Sequence, residues 1–449
     1  MKRKLFVLLL CCLMIMSSVL VGCKKSDNGD VNKTDDNKKT ESKDTESKDT
    51  NSKSSDTKNE KTTITWLHHF QEAGIQEWLN TVVKTFTEAN PDVEVLVEVA
   101  GADNYSQLLK TKIASDDAPM IFDLSNIREY QNYVEADHLY DIGGFDCIAD
   151  IEPAMLPAGQ YNGVQYGIPI DQTAFCVTYN EEIFNELNLQ VPTTISEMHD
   201  VCQKLIDNGY DPFNASMAEQ WCMNINYNVI LSPYCLMDDK QWYVDKMNLT
   251  SNFSDDENFK KAFETFAGLK PYWGNDPFGT TWDAEQNALA AKKSAMVVNG
   301  SWTVDGVMGK NPDMSLRIFA MPSSEDPKDA TMVMNAGSQL VVYNSSDPDK
   351  LDAAERLYNH IYSQESGKLF ADLAFRMSTV KGVDLTGSAA MNDIGVYPDD
   401  QVYMSMGVET FTGEYATLFL DTVQGHLMES TFDVDAMAKA LDKAFSAIQ

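Results

Sequence analysis

Positive charge is scarce in the folded part of this chain. The full 449 residues hold 35 Lys plus Arg against 68 Asp plus Glu. Residues 63–449 carry 22 of those cations and 58 of the anions, a net of −36. Nucleic acid and anionic lipid surfaces are poor partners for such a body. The excess keeps a protein soluble or, less often, attracts a cation such as a polyamine. Cysteine is also sparse: of eight, Cys11, Cys12 and Cys23 precede the body, leaving Cys147, Cys176, Cys202, Cys222 and Cys235. Five cannot all pair within one chain and make no disulfide framework in so large a body. Cys176 and Cys202 fall in apolar-patterned segments and are expected to be small buried hydrophobes. A Cys222–Cys235 bridge is conceivable, and no pair has zinc-site spacing. His68 and His69 have no further metal-ligand cluster near them, so neither metal nor cofactor is implied. Carboxylates abound without standing in a recognisable catalytic motif, which argues against an enzyme.

What is present begins with the first residues. Met1-Lys2-Arg3-Lys4 is basic, residues 5–21 carry no charge, and the run closes on Leu20-Val21-Gly22-Cys23. This order is that of an export signal: the cations hold the inner membrane face and small Gly22 suits a peptidase pocket. The cysteine after the cut resembles the lipobox of bacterial lipoproteins, whose thiol receives a diacylglycerol. The alternatives are an ordinary secretion signal or a membrane anchor, for which the charge-free stretch is short. Residues 1–22 are therefore expected to be a signal peptide. Cys23 would then carry acyl chains such as palmitate on the extracellular face of the cell membrane.

Residues 24–62 are almost wholly Lys, Asp, Glu, Ser, Thr and Asn, with Thr-Glu-Ser-Lys-Asp repeated at Thr40 and Thr45 and Val31 the sole large apolar residue. Such a stretch builds no core and is expected to be a solvated tether. Random-coil scaling gives it a span on the order of 35 Å. Long tethers next to a lipid are common on Gram-positive surfaces.

The body exceeds what one hydrophobic core usually serves, so two lobes are expected. Its opening alternates strand and helix. Residues 63–67 read as a strand. Ile75, Trp78, Leu79, Val82, Val83 and Phe86 mark one helix face, which Asn90-Pro91 ends. Val93, Val95, Val97 and Val99 then alternate with Glu94, Leu96 and Glu98 as a strand. A helix through Tyr105, Leu108, Leu109 and Ile113 leads to a strand at 120–124. This β-α-β-α-β order implies parallel neighbours, with ligand at the carboxyl ends of strands. Further along, 166–179 reads as a strand. Thr194 and Glu197 have capping-box spacing, with Gly209 as terminator. Residues 255–310 read as mainly helical around a short strand at 295–298, and 339–343 as a strand. Asp347-Pro348 opens a helix, and the tail from Gly413 is helical.

Four segments together resemble a known family. Thr63-Ile64-Thr65-Trp66, then Asn90-Pro91 and a Val-rich strand, is similar to the opening of family 1 extracellular solute-binding proteins, the sugar-binding lipoproteins of ABC importers. Tyr166-Gly167-Ile168-Pro169, Tyr179-Asn180 and Pro192-Thr193-Thr194 resemble that family's centre. Ala295-Met296 followed by Gly300-Ser301-Trp302 resembles its "AAM…G.W" signature, and Asn335-Ala336-Gly337 its return crossover. Together these span nearly all of 63–449. The departures are Pro119-Met120, Ala336-Gly337 and Ile195, which stand where the family has "PD", paired glycines and Trp.

The resemblance implies an α/β, two-lobe periplasmic-binding-protein-like fold of type II, with hinge crossovers between the lobes. Lobe 1 would take 63–171 and 335–382, and lobe 2 would take 175–333 and 386–449. It also implies a monomeric receptor that closes on a carbohydrate, an oligosaccharide by preference, and docks on ABC permease subunits. A sugar needs aromatic platforms for its C–H faces and carboxylates or amides for its hydroxyls. Trp302 of the G-x-W segment is the leading platform against a core role, Trp221 the next. Trp273 and Trp282 either reach the cleft or pin a loop. Asp123, Asp171, Gln172 and Thr173 sit at strand-end or crossover positions, and His69, Phe70 and Gln71 follow the first strand. Adjacent histidines on a strand point to opposite sides, so at most one faces ligand unless the strand has ended. Asn335 lies near the hinge. Arg376 is read first as a structural ion pair. The rival readings are a polyamine or cation receptor of the same fold, a surface glycan-active enzyme, and a structural adhesin.

Overall fold

The computed structural model describes residues 61–448 except 125–126, 384–387 and 406–409. The leader, Cys23 and the tether, with the lipid-anchor expectation they carry, lie outside the described residues. No described helix is long and apolar enough to cross a membrane.

Two sheets organise the rest. The first has five strands. β1 (Thr62–His68) pairs in parallel with β2 (Val93–Val99) and with β3 (Ile121–Leu124), as the β-α-β-α-β pattern requires. The helix Ala73–Ala89 between β1 and β2 lays Ile75, Trp78, Leu79, Val82 and Phe86 on the sheet, the face read from the sequence. β2 departs from its alternating pattern. It is an edge strand on which only Val93 is fully buried, while Leu96 and Val99 are about half exposed at 47% and 54%.

Residues 160–169 supply the short hairpin β4 (Gln160–Tyr161) and β5 (Val164–Gln165), then β6 (Gly167–Pro169). The strand expected over 166–179 is thus two strands. The chain leaves the first sheet at Pro169 and enters the second as the ten-residue β7 (Asp171–Asn180). Ile170 between them gives its N–H to Ser338, so the switch is hydrogen-bonded.

β7 is the spine of the second sheet. β12 (Met377–Ser378) and β8 (Met296–Gly300) pair along one edge, β10 (Met332–Ala336) and β9 (Leu316–Phe319) along the other. β13 (Val402–Ser405) extends it beside β10. β11 (Gln339–Val342) then returns to the first sheet, antiparallel to both β3 and β6. The chain also moves between sheets after β10, where Gly337 lies against Asp171. A Cβ on Gly337 would meet the Asp171 carboxylate at 1.8 Å, so only glycine lets the crossover pass.

Each sheet has its own apolar core. The first packs Ile64, Trp66, Trp78, Phe86, Leu340 and Leu357. The second is dominated by aromatics, Phe253, Phe259, Phe263, Phe411, Phe419 and Phe445 among them. It also embeds Lys246, whose ammonium lies 5.4 and 5.1 Å from the Trp242 and Phe253 rings and 3.0 Å from Asp256. Two sheets, each packed with its own apolar clusters, make a two-lobe molecule. The five body cysteines are all free and buried, so Cys222 and Cys235 are not bridged. Thr194 caps the helix Ile195–Asp207 by accepting from Glu197 N–H at 3.2 Å, and Gly209 turns it off at φ +85°. Asp347 likewise caps Pro348–Ile361.

Candidate functional site

The carboxyl ends of β1 and β3 meet the amino end of β7 at the junction between the lobes. β1 ends at His68, so the two adjacent histidines separate. His68 is fully buried beside Trp66 and Phe70, and burial drives its pKa down to about 4. Neither of its ring nitrogens has a hydrogen-bond partner among the described residues. His69 turns outward and stays partly exposed, its Nδ1 hydrogen-bonded to the Asp123 carboxylate. Burial works against charge on that imidazole, but the adjacent Asp123 carboxylate outweighs it and the pKa is raised. Asp123 is itself held from behind: the Tyr105 hydroxyl donates to its carbonyl at 2.8 Å and accepts from its N–H at 2.9 Å. The Phe70 ring stands 4.4 Å from that of His69. Gln71 is exposed just beyond.

Asp171 is almost wholly buried at the crossover. It accepts from Arg376 at 3.1 Å, and Arg376 also reaches Glu72 at 3.2 Å. Burial pushes the Asp171 carboxyl up, against the downward pull of Arg376. The guanidinium also lies 5.8 Å from the Phe70 ring. Arg376 is therefore the structural ion pair that so acidic a body favours.

The second lobe contributes aromatics. Trp302 follows β8 directly, and its indole lies over Gly300, where a Cβ would meet the ring at 2.3 Å. It stands 6.1 Å from Phe175, edge to face, and 6.4 Å from Trp221. Trp221 in turn stands 5.7 Å from Trp282. Glu219 fixes that corner by accepting the Trp282 backbone N–H at 2.7 Å. All four rings are only partly buried. Beside them Thr173, buried, donates to the Asn335 carbonyl at 3.3 Å, while Gln172 and Asn335 are half-buried. The structure thus gathers Trp302, Trp221 and Trp282 with Phe175 on one lobe, and His69, Phe70 and Asp123 on the other.

Two expectations change. Trp273 is 4% exposed and packs 4.8 Å from Phe266 inside the second lobe, so it pins a loop and offers no ring face outward. Asp123 and Asp171 are engaged by protein donors and stand behind the surface, orienting His69 and Arg376. Phe175 escaped the sequence reading because it alternates within an ordinary strand. Glu72 and Asp305 escaped because their partners lie on distant segments. Among the described residues no group of His, Cys, Asp or Glu is arranged to hold a metal.

Comparison with known proteins places this geometry. A family model described as bacterial extracellular solute-binding protein matches residues 81–394. The "Multiple sugar-binding protein" of Streptococcus mutans is 21% identical over 342 residues, 72% of this chain and 76% of that protein. An uncharacterized ABC transporter extracellular-binding protein of Pyrococcus horikoshii is 25% identical over 245 residues, 52% of this chain and 54% of that one. Among solved structures, a chitin oligosaccharide binding protein has a TM-score of 0.74 at 19% identity, covering 86% of this chain and 98% of its own. A Bacillus licheniformis sugar transporter in complex with stachyose has a TM-score of 0.69 at 16% identity, covering 86% and 100%. At such identities the shared property is the fold.

Proposed function

We propose that this chain, which belongs to the bacterial extracellular solute-binding protein family, is a lipid-anchored receptor that captures a carbohydrate between its lobes and hands it to an ABC permease. Lobe 1 takes 63–171 and 335–382, lobe 2 takes 175–333 and 386–449, and Cys23 carries the acyl anchor outside the cell membrane. The observation that carries the reading is the corner formed by Trp302, Trp221 and Trp282, with Phe175, at the strand ends of one lobe. Partly exposed indoles grouped this way suit the C–H faces of sugar rings. On the other lobe, partly exposed His69 and exposed Gln71 supply polar groups for hydroxyls. The names of relatives agree: the S. mutans protein is called a multiple sugar-binding protein, and the B. licheniformis structure holds stachyose.

The state of the carboxylates weighs against a polyamine. A cation ligand needs carboxylates free to meet it. At the junction Asp123 is bonded to His69, and Asp171 and Glu72 to Arg376. These carboxylates are therefore already engaged by protein donors, which suits a neutral guest.

A thermal-shift panel tests this, with raffinose, stachyose, chito- and xylo-oligosaccharides, galactose, spermidine and calcium as probes. A ligand binding only the native state, present at 100 times its Kd, adds about 2.7 kcal/mol. A rise with one of the sugars is expected, and Trp302→Ala should weaken that sugar by about 2 kcal/mol or more. A rise with spermidine alone, or an unchanged affinity in Trp302→Ala, would overturn the assignment.

A further inference from the structure

We infer that Asp305 is the positioning residue that holds the lobes together, capping the first turn of the helix Ala73–Ala89 from the opposite lobe. The inference rests on the closure around a ligand proposed above. A helix start leaves its first N–H groups without intrahelical partners, and a local side chain usually accepts one of them. Here the local N-cap residue, Glu72, makes no such bond and is turned toward Arg376. Gly74 N–H instead donates to one Asp305 carboxylate oxygen at 2.9 Å, and Ile75 N–H to the other at 3.2 Å. Asp305 lies in the helix Thr303–Met308, whose Val304 and Val307 belong to the core of the second sheet. Ile75 belongs to the core of the first. The bond therefore ties one lobe to the other across a sequence separation of 231 residues.

The contact is built for close approach. A Cβ at Gly74 would meet the Leu373 carbonyl at 2.0 Å and the Asp305 carboxylate at 2.8 Å, and one at Gly309 would stand 3.3 Å from the Ala73 methyl. At Gly74 the first clash falls within the first lobe and the second on Asp305, while a larger residue at Gly309 would press directly on the helix that Asp305 caps. The carboxylate also sits at the positive end of a 17-residue helix, where negative charge is favoured. Asp305 is 2% exposed in this arrangement. Swinging the lobes apart returns both the carboxylate and the two N–H groups to water, so the bond exists only when the lobes meet. The charged groups facing Asp305 are Arg376 and Glu72, both from the first lobe. Burial raises the Asp305 carboxyl to about 6, with Arg376 and the two N–H donors pulling the other way. An acid less acidic in the closed form than in water takes up a proton on closing. Closure is accordingly favoured as pH falls from 7 to 5.

Small-angle scattering of the whole protein, with and without the sugar identified by the thermal-shift panel, tests this together with stopped-flow release of that sugar. Asp305→Ala should shift the population toward larger radii of gyration and speed release about tenfold, the scale of one lost helix cap. Asp305→Asn keeps the shape and one acceptor. It should give an intermediate rate and lose the part of the pH 5–7 dependence that comes from Asp305. Equal radii for wild type and Asp305→Ala in every condition, or release rates and pH profiles that do not differ, would overturn the inference. The scattering comparison does not depend on the sugar. If no sugar on the panel binds but Asp305→Ala still expands the molecule, the ligand assignment fails and the interlobe cap stands.

Discussion

Gly300→Ala displaces the central indole without deleting it. Gly300 closes β8 opposite Phe175 in a backbone conformation open to any residue, so alanine itself adds no strain there. The added methyl would stand 2.3–2.4 Å from three atoms of the Trp302 six-membered ring. Carbon atoms rest at about 3.5–4.0 Å, so the ring must retreat by roughly 1–1.7 Å. That shift breaks the 6.1 Å contact with Phe175 and the 6.4 Å contact with Trp221. Overpacking of this kind costs about 1–3 kcal/mol in stability. Near-UV circular dichroism should report the changed indole coupling, and urea melts the stability. A double-mutant cycle isolates the cause: in a Trp302→Ala background the new methyl meets no ring, and Gly300→Ala should then cost close to nothing. If it costs the same in both backgrounds, the methyl clashes elsewhere and the indole does not lie over Gly300. If Trp302 anchors the ligand, the single variant should also weaken sugar binding by about 2 kcal/mol, roughly thirtyfold.

Glu285 is fully buried against Ser216, and burial lifts its carboxyl to about 8. The native state keeps a proton that the unfolded chain loses above about pH 4.5, so this group's contribution is full below that point and fades as pH climbs toward 8. Glu285→Gln should flatten the fall of Tm between pH 5 and 8, and an unchanged slope would refute the assignment. Lys246 donates to the Asn252 carbonyl at 2.6 Å and pairs with Asp256 at 3.0 Å within the aromatic core. Lys246→Ala should destabilise by about 3 kcal/mol because it breaks a buried ion pair, although Asp256 keeps the Trp242 and Phe259 N–H donors. In urea melts Lys246→Met, which restores the stem's volume, should recover part of the loss.

Periodicity carried the first lobe well. The helix face from Ile75 to Phe86 and the parallel pairing of β1 with its neighbours both follow from spacing, because one face must meet a core. Spacing did not reveal that β2 is an edge, since alternation looks the same whether a strand is flanked once or twice. Nor did it show the break at Ile170, because two strands in two sheets read as one apolar stretch when the switch occupies a single residue. At the site, Trp302 was legible through the Gly-Ser-Trp segment. Trp273 was ambiguous: its Pro/Gly-rich surroundings allowed either a ring reaching the junction or one pinning a loop, and Phe266 with its neighbours closes over it. Long-range polar partners left no trace in the sequence, because a bond such as Asp305 to Gly74 depends on how two distant segments pack.

That last point bears on how charge should be read in such a chain. Net charge describes the far field and governs solubility and long-range attraction. What a site binds depends on which charges are still unpaired after folding. Here Arg376 lies between Glu72 and Asp171, and a helix end meets Asp305. Asp123 is spent on His69. A buried carboxylate without such partners would cost several kcal/mol, so each acid at the junction meets a donor, with Glu72 and Asp171 sharing Arg376. The acidity of the body and a preference for an uncharged guest are therefore compatible. The guest proposed above draws on that pairing, which a count of residues does not reveal.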